Sequence, residues 1–334
     1  MAWKQPSDSF AAVGTTPIDR STTWPYEGGE PGRFTYSRYS SPTLVEAESR
    51  LGALDGGDAL LFSSGAAAST SLLLALLSPG QTVAVAEGSY YGTGVMLDEL
   101  ARWGIEKVEF DQTGPPPDGV DLVWLEAPSN PFLTMPDFEA AAAHPARVVC
   151  DSTAATPLNV RPLELGCDLA LHSATKYLAG HDDALVGAVV CKRPDDAARL
   201  LEFRSRTGPV PAADTAWLLL RGLQTLEVRV ARQTESASAI ADRLRAHPVV
   251  NEVRYPGFGG LLSFDVENAE AAQRVETSTE LIANMTSLGG VTTRMEARAR
   301  WEGSRVPPGL LRLSVGLEDA DVLWRDLERA LGTI

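Results

Sequence analysis

The chain predicts an α/β fold: a mostly parallel sheet covered by helices, followed by a smaller C-terminal α/β part. Three observations predict it. Short apolar runs rich in β-branched residues alternate with stretches of helical periodicity up to about residue 192, the pattern of a parallel sheet covered on both faces. Long helical periodicity follows, and further apolar runs near the C-terminus open a second group of strands. The 334 residues suffice for two domains and a large core, and 44% hydrophobic with 22% charged residues argues against disorder.

Residues 1–40 are rich in Pro, Gly, Ser and Thr and read as an extended arm. Over residues 43–54, Leu44, Val45, Ala47, Leu51 and Leu54 recur at helical spacing, and Asp55-Gly56-Gly57 supplies the stop. ALLFSSGAAASTSLLLALLSPG is an apolar run, a small-residue turn and a helix opening at Gly65, where free N–H groups make an anion site. Residues 81–87 read as a strand, 93–103 as a helix, 105–110 as a strand, GPPPDG as a loop, VDLVWLE as a strand and 137–144 as a helix. Arg147–Asp151, 168–173 and 185–192 are further strands. Residues 206–257 suit long helices that bridge the two parts. LLRLSV (310–315) alternates as a strand, and DADVLWRDLERALG closes the chain as an amphipathic helix with Asp319 near its start.

Composition excludes several functions. Forty-four acidic against 29 basic residues leave a net charge of −15, the wrong sign for nucleic acid or an anionic membrane. Cys150, Cys167 and Cys191 are odd in number and lack CxxC spacing, so each reads as a small core residue. His144, His172, His181 and His247 show no ligand spacing, and no structural metal is expected. The N-terminal MAWKQPSDSFAAVG has no apolar signal core and the longest apolar run, 72–77, is too short to span a bilayer, so a cytoplasmic protein is expected. Arg294, Arg298, Arg300 and Arg305 form a basic cluster, read as a solvated helix face or subunit contact in preference to a substrate-attracting rim.

The chemistry concentrates between residues 147 and 187. Two strands end there in polar residues, and the carboxyl ends of strands are where open α/β sheets bind ligands. Asp151, Ser173, Thr175 and Lys176 thus meet in one crevice. An amine, an acid and two hydroxyls suit pyridoxal phosphate (PLP): the amine condenses with its aldehyde, and the acid keeps the ring nitrogen protonated.

TPLNVRPLELGCDLALHSATKYLAGHDDALVGAVV resembles the lysine signature of the Cys/Met-metabolism group of PLP-dependent enzymes, which includes the cystathionine γ-synthases and γ-lyases. The resemblance implies fold type I, with Lys176 as the cofactor lysine and α-proton base. Asp151 becomes the partner of the ring nitrogen, and Ser173 and Thr175 become phosphate ligands. FTYSRYSSPT is similar to the family's entry segment, which makes Tyr36 and Arg38 phosphate ligands in a neighbouring subunit and requires at least a dimer, paired into a homotetramer. The backbone of Gly65 and Ala66 would hold the phosphate as well. Tyr90 falls on the tyrosine that stacks on the cofactor ring and moves protons, and Asn130 on the residue that hydrogen-bonds its phenolate oxygen. Ser287 matches the substrate-side Ser-Leu-Gly-Gly, and Arg312 the arginine that binds the substrate α-carboxylate. The resulting division is an arm (1–40), a PLP-binding domain (41–230) and a substrate-side domain (231–334).

The chain departs from the family at three places. Tyr91 replaces a glycine beside Tyr90, Thr292 replaces a glutamate tied to γ-chain selectivity, and a segment before FGGLLSFDVEN is missing. The shorter C-terminal part predicts a more open site. The implied activity is γ-elimination of L-cystathionine to cysteine, 2-oxobutyrate and ammonia. γ-Replacement on an acylated homoserine, by a cystathionine γ-synthase or a sulfhydrylase, stays open, as do β-cleavage and a non-catalytic PLP-fold binding protein.

Overall fold

A computed structural model describes residues 16–334; the first fifteen residues of the expected arm lie outside the described residues. The first sheet has seven strands: β1 (Asp58–Phe62), β2 (Thr82–Ala86), β3 (Glu106–Phe110), β4 (Leu122–Glu126), β5 (Arg147–Asp151), β6 (Leu169–His172) and β7 (Gly187–Cys191). Their spatial order is β1-β7-β6-β5-β4-β2-β3, parallel from β6 to β3, with β7 antiparallel to both its neighbours. The second sheet contains β8 (Glu252–Arg254), β9 (Leu261–Asp265), β10 (Ala283–Asn284), β11 (Arg294–Ala297) and β12 (Leu310–Ser314), in the order β10-β11-β12-β9-β8.

The helices are α1 (Pro42–Asp55), α2 (Gly65–Leu76), α3 (Tyr91–Leu100), α4 (Phe138–Ala142), α5 (Thr156–Asn159) and α6 (Pro194–Thr207). They continue with α7 (Ala213–Leu223), α8 (Leu226–Arg245), α9 (Ala269–Ser278), α10 (Ala299–Glu302) and α11 (Ala320–Leu331). Local chemistry sets most ends. Ser41 caps α1 by accepting from the Leu44 N–H, Pro42 opens it, and Gly56 ends it in the left-handed region at φ 86°. Asp319 caps α11 through the N–H groups of Asp321 and Val322.

Alternation along the buried strands sends side chains to both faces of the first sheet. Phe62, Val149, Leu169 and Val189 join Leu72, Leu73 and Leu200 on one side; Leu61, Ala170 and Val190 join Leu44, Leu51 and Leu219 on the other. The expected double covering is therefore present, with β7 as the antiparallel exception. A separate core unites the second sheet with α8, α9 and α11 through Ile240, Phe264, Val275, Leu313 and Leu327. Cys150, Cys167 and Cys191 are free and buried in the core, as expected.

Several boundaries moved. The strand expected at 185–192 starts at Gly187, because the backbone N–H and carbonyl of Val186 bond to Thr175 instead of to a neighbouring strand. The helix expected at 93–103 begins at Tyr91 and tightens to a 3₁₀ turn over Ala101–Trp103. That at 137–144 shrinks to α4. Helix α6 was not among the expected elements, although Pro194, the acidic pair Asp195 and Asp196, and left-handed Gly208 are its start and stop signals.

The arginine cluster needs a larger correction: it is not a solvated helix face. Arg294 and Arg298 are buried and paired with carboxylates, Arg294 with Asp182 and Arg298 with Glu296 and Glu302. The more exposed Arg300 and Arg305 pair with Glu276 and Glu109. Among the described residues no helix is long and apolar enough to cross a membrane.

Candidate active site

The carboxyl ends of β4, β5 and β6, the start of α2, the Ser287 loop, the 298–301 segment and Arg312 of β12 enclose a cavity of about 490 Å³. That is a usual size for a small-molecule site. Glu126 and Asp151 sit opposite each other in the parallel register of β4 and β5, so both carboxylates reach the same rim.

Lys176 lies in the turn after β6. The turn is held from behind by buried Arg229 of α8, whose guanidinium donates to the carbonyls of Tyr177 (2.7 Å), Gly222 (2.8 Å) and Leu178 (3.3 Å). Lys176 Nζ donates to Ser287 Oγ at 2.7 Å. Burial, with Arg312 and Arg294 adding to it, pushes the amine down to about 8. Ser287 occupies the left-handed region at φ 86°, an uncommon place for a residue with a side chain. Its carbonyl accepts from Arg312 Nη2 at 3.2 Å. One strained residue thus joins the amine to the guanidinium.

Arg312, on β12, is buried rather than on a solvent-facing edge. Its Nη1 donates to Asn130 Oδ1 at 3.1 Å, leaving the Asn130 amide N–H₂ as the donor end. Asp151 accepts from the backbone N–H (3.0 Å) and hydroxyl of Thr153, and Thr153 Oγ1 accepts from the Ser173 N–H at 2.7 Å. Burial raises the Asp151 carboxyl despite those bonds. A cationic ring nitrogen beside it would reverse that.

At the start of α2, Ser64 caps Ala67, and the first helical N–H groups, those of Gly65 and Ala66, face the cavity. A Cβ on Gly65 would come within 2.9 Å of Ser173 Cβ and Oγ, so glycine is what lets the serine hydroxyl reach the helix start. The Thr175 hydroxyl exchanges hydrogen bonds with the backbone of Val186 (3.1 and 2.9 Å), and its proton is directed there. Tyr90 stands over the cavity, its ring 5.5 Å from that of Tyr91 and edge-on to it. The extra bulk of Tyr91 therefore lines the site.

Of the expected residues, Tyr90, Gly65, Ala66, Asn130, Asp151, Ser173, Thr175, Lys176, Ser287 and Arg312 all line this cavity. Tyr36 and Arg38 do not. Arg38 lies over the rings of Tyr36 and Tyr39 (5.3 and 5.0 Å) and donates to the Ser205 carbonyl. Thr292 is exposed and outside the lining.

Reading by sequence missed Glu126, Thr153, Arg298 and Trp301. Glu126 Oε2 accepts the N–H groups of Tyr90 (2.6 Å) and Asn130 (3.3 Å), tying together two residues expected around a cofactor ring. Burial and neighbouring Asp151 raise its carboxyl well above the usual range. Its place at the end of a strand was the available signal. Arg298 had the basic cluster, for which a substrate-attracting rim is the less favoured reading, and Trp301 had no signal.

A buried lysine whose amine is pushed down to about 8, a buried acid and a helix start lining the same cavity, and a guanidinium for a carboxylate fit pyridoxal phosphate with an amino acid. Fold and site define a PLP-dependent enzyme. The chain belongs to the Cys/Met metabolism PLP-dependent enzyme family, whose profile matches residues 3–332. It is 38% identical to a putative cystathionine γ-lyase of Streptomyces coelicolor, over 91% of this chain and 85% of that protein. It is 36% identical to a cystathionine γ-synthase of Mycobacterium bovis, over 98% and 94%. The crystal structure of metB from Corynebacterium glutamicum superposes with a TM-score of 0.93 at 35% identity, covering 98% of this chain and 94% of that one.

Proposed function

We propose that the protein is a cystathionine γ-lyase, cleaving L-cystathionine with water to cysteine, 2-oxobutyrate and ammonia. The observation that carries this reading is the Lys176–Ser287–Arg312 chain, which joins an amine and a carboxylate-binding guanidinium that line the same cavity. Likeness to the S. coelicolor relative supports the choice of γ-cleavage.

Bound pyridoxal phosphate supplies an electron sink for the charge left when the α-proton leaves. Lys176 Nζ, neutral above about pH 8, takes that proton and returns it along the substrate. Asp151 would hold the proton on the ring nitrogen, Tyr90 would cover the ring and Asn130 would donate to the phenolate oxygen. Gly65, Ala66, Ser173 and Thr175 would hold the phosphate, Thr175 only if its hydroxyl turned from Val186. Tyr36 and Arg38 complete the phosphate site of a second copy in a homodimer, two of which pair as a tetramer. Arg312 and Ser287 hold the substrate.

A second reading, γ-replacement on an acylated homoserine, is supported by the near full-length likeness to the γ-synthase. Incubating the purified protein with PLP and L-cystathionine separates the two. Cysteine and 2-oxobutyrate are expected, with both products and the visible absorbance of the bound cofactor lost in Lys176→Ala. Homocysteine and pyruvate would mean β-cleavage. No turnover, with cystathionine instead made from cysteine and acylated homoserine, would replace the lyase reading by the synthase.

A further inference from the structure

Behind Arg312 lies a buried cluster of four charges. Glu296 Oε2 accepts from both Arg312 Nη2 (3.2 Å) and Arg298 Nη1 (2.7 Å), and Glu296 Oε1 from Trp301 Nε1 (2.6 Å). Arg298 also donates through Nε and Nη2 to Glu302 Oε1, at 2.9 and 2.8 Å. All four charged residues are nearly inaccessible: Arg312 is 4% exposed, Arg298 3%, Glu296 4% and Glu302 8%. Arg298, Arg312 and Trp301 line the cavity. With both pairs ionised the cluster is neutral. Deprived of Arg298 it carries one net negative charge, and Glu296, having lost a partner 2.7 Å away, has Arg312 as its only cation. A carboxylate approaching Arg312 would then compete with an internal one that is already buried and better placed.

We propose that Arg298 is a positioning residue for the carboxylate site: by neutralising Glu296 it keeps the Arg312 guanidinium available to the α-carboxylate of the substrate. The proposal rests on the reading that Arg312 takes that carboxylate. It gives a role to a cation that the family resemblance does not assign. Glu296 acts as the gate charge, because it touches both guanidiniums, and Glu302 balances Arg298 from the other side. Burial and then Arg298 lower the Arg312 guanidinium to about 10, and Glu296 and Glu302 act to raise it.

The experiment compares two probes that differ by a carboxylate, glycine and methylamine, titrated into the PLP-loaded protein and followed by the change in cofactor absorbance. Arg298→Met should weaken glycine about tenfold or more and leave methylamine within about twofold, as expected for loss of a charge-assisted contact to the carboxylate. Glu296→Gln, which keeps the shape and the acceptor for Trp301, should move glycine the other way, to tighter binding. The double variant should return toward wild type. Opposite shifts are the signature, since a scaffold residue would weaken both probes in both variants. If Arg298→Met does not fold, Glu296→Gln and the double variant decide. Glycine weakened by Glu296→Gln, or both probes weakened equally by Arg298→Met, overturns the assignment. A wild-type protein that responds to neither probe overturns the functional reading itself, and the proposal with it, a result distinct from the other two.

Discussion

Lys176 shows how one residue's chemistry is set by its surroundings. Its ammonium loses hydration on burial and faces Arg312 and Arg294, so the neutral amine is reached at about 8 rather than at 10.5. Uptake of PLP by the cofactor-free protein requires that neutral amine. The uptake rate should therefore rise with pH and reach half its maximum near 8, and Arg312→Met, which removes a repelling charge, should move the midpoint upward. Stability follows with a definite sign. Between about 8 and 10.5 the unfolded chain holds a proton at Lys176 that the folded chain has lost, so stability of the cofactor-free protein rises with pH across that window. Below about 8 both states are protonated and the penalty is constant. Urea unfolding at pH 7.5 and 9.5 checks this, and Lys176→Met should lack this part of the rise.

At the scale of elements, the start of α2 is a fitted joint. A Cβ on Gly187 of β7 would lie 2.1 Å from the Ser64 carbonyl oxygen and 2.8 Å from the Gly65 nitrogen, and one on Gly65 would press on Ser173. The antiparallel strand thus touches the helix cap, and the cap's N–H groups reach the cavity with no side chain between. Gly187→Ala should destabilise by about 1–3 kcal/mol, the usual cost of forcing atoms into a packed site, and should also weaken PLP binding. Ser64→Ala should cost about 1 kcal/mol through the lost cap while leaving the backbone in place. Denaturant unfolding with a PLP titration on each variant separates the two effects.

At the scale of the whole molecule, the cavity exists because two sheets meet across it. The Tyr177 hydroxyl accepts from the Gly260 N–H at 3.1 Å, Ser263 Oγ donates to the Pro131 carbonyl at 2.7 Å, and Gln233 Nε2 donates to the Gly290 carbonyl at 2.8 Å. The first two bonds bring β9, and β12 paired with it, over the ends of β4 to β6, and the third seats the Ser287 loop on α8. Tyr36 and Arg38 stay outside their own cavity, which is what a site completed by a second copy requires. Lys176→Ala and Arg38→Ala should each abolish or strongly reduce activity alone. Refolding the two together should recover it, because mixed dimers carry one site with both residues intact. A mixture no more active than its parts would mean that each chain completes its own site.

Much of this was legible in the sequence, for local reasons. Strand and helix periodicity located β4, β5 and β6, and Asp151 at the end of β5 with Ser173, Thr175 and Lys176 just after β6 reached the cavity, because in a parallel sheet the strand ends share one rim. Caps such as Ser41, Gly56 and Asp319 act within a few residues and mark helix ends wherever they occur. The family resemblance selected the Ser287 loop and Arg312, and both line the cavity. The tertiary structure alone decided which charges meet. Nothing local distinguishes Arg298 in ARARWEG from a solvated arginine, and its neighbours in sequence suggested an exposed basic run. Its meaning came from Glu296 two residues away on β11, Glu302 one turn later and Arg312 on the adjacent strand, all withdrawn from water together. A carboxylate or guanidinium has the same side chain in solvent and in a core. Only packing sets the dielectric around it and the partner it must have, and those two quantities turn a charge into a site.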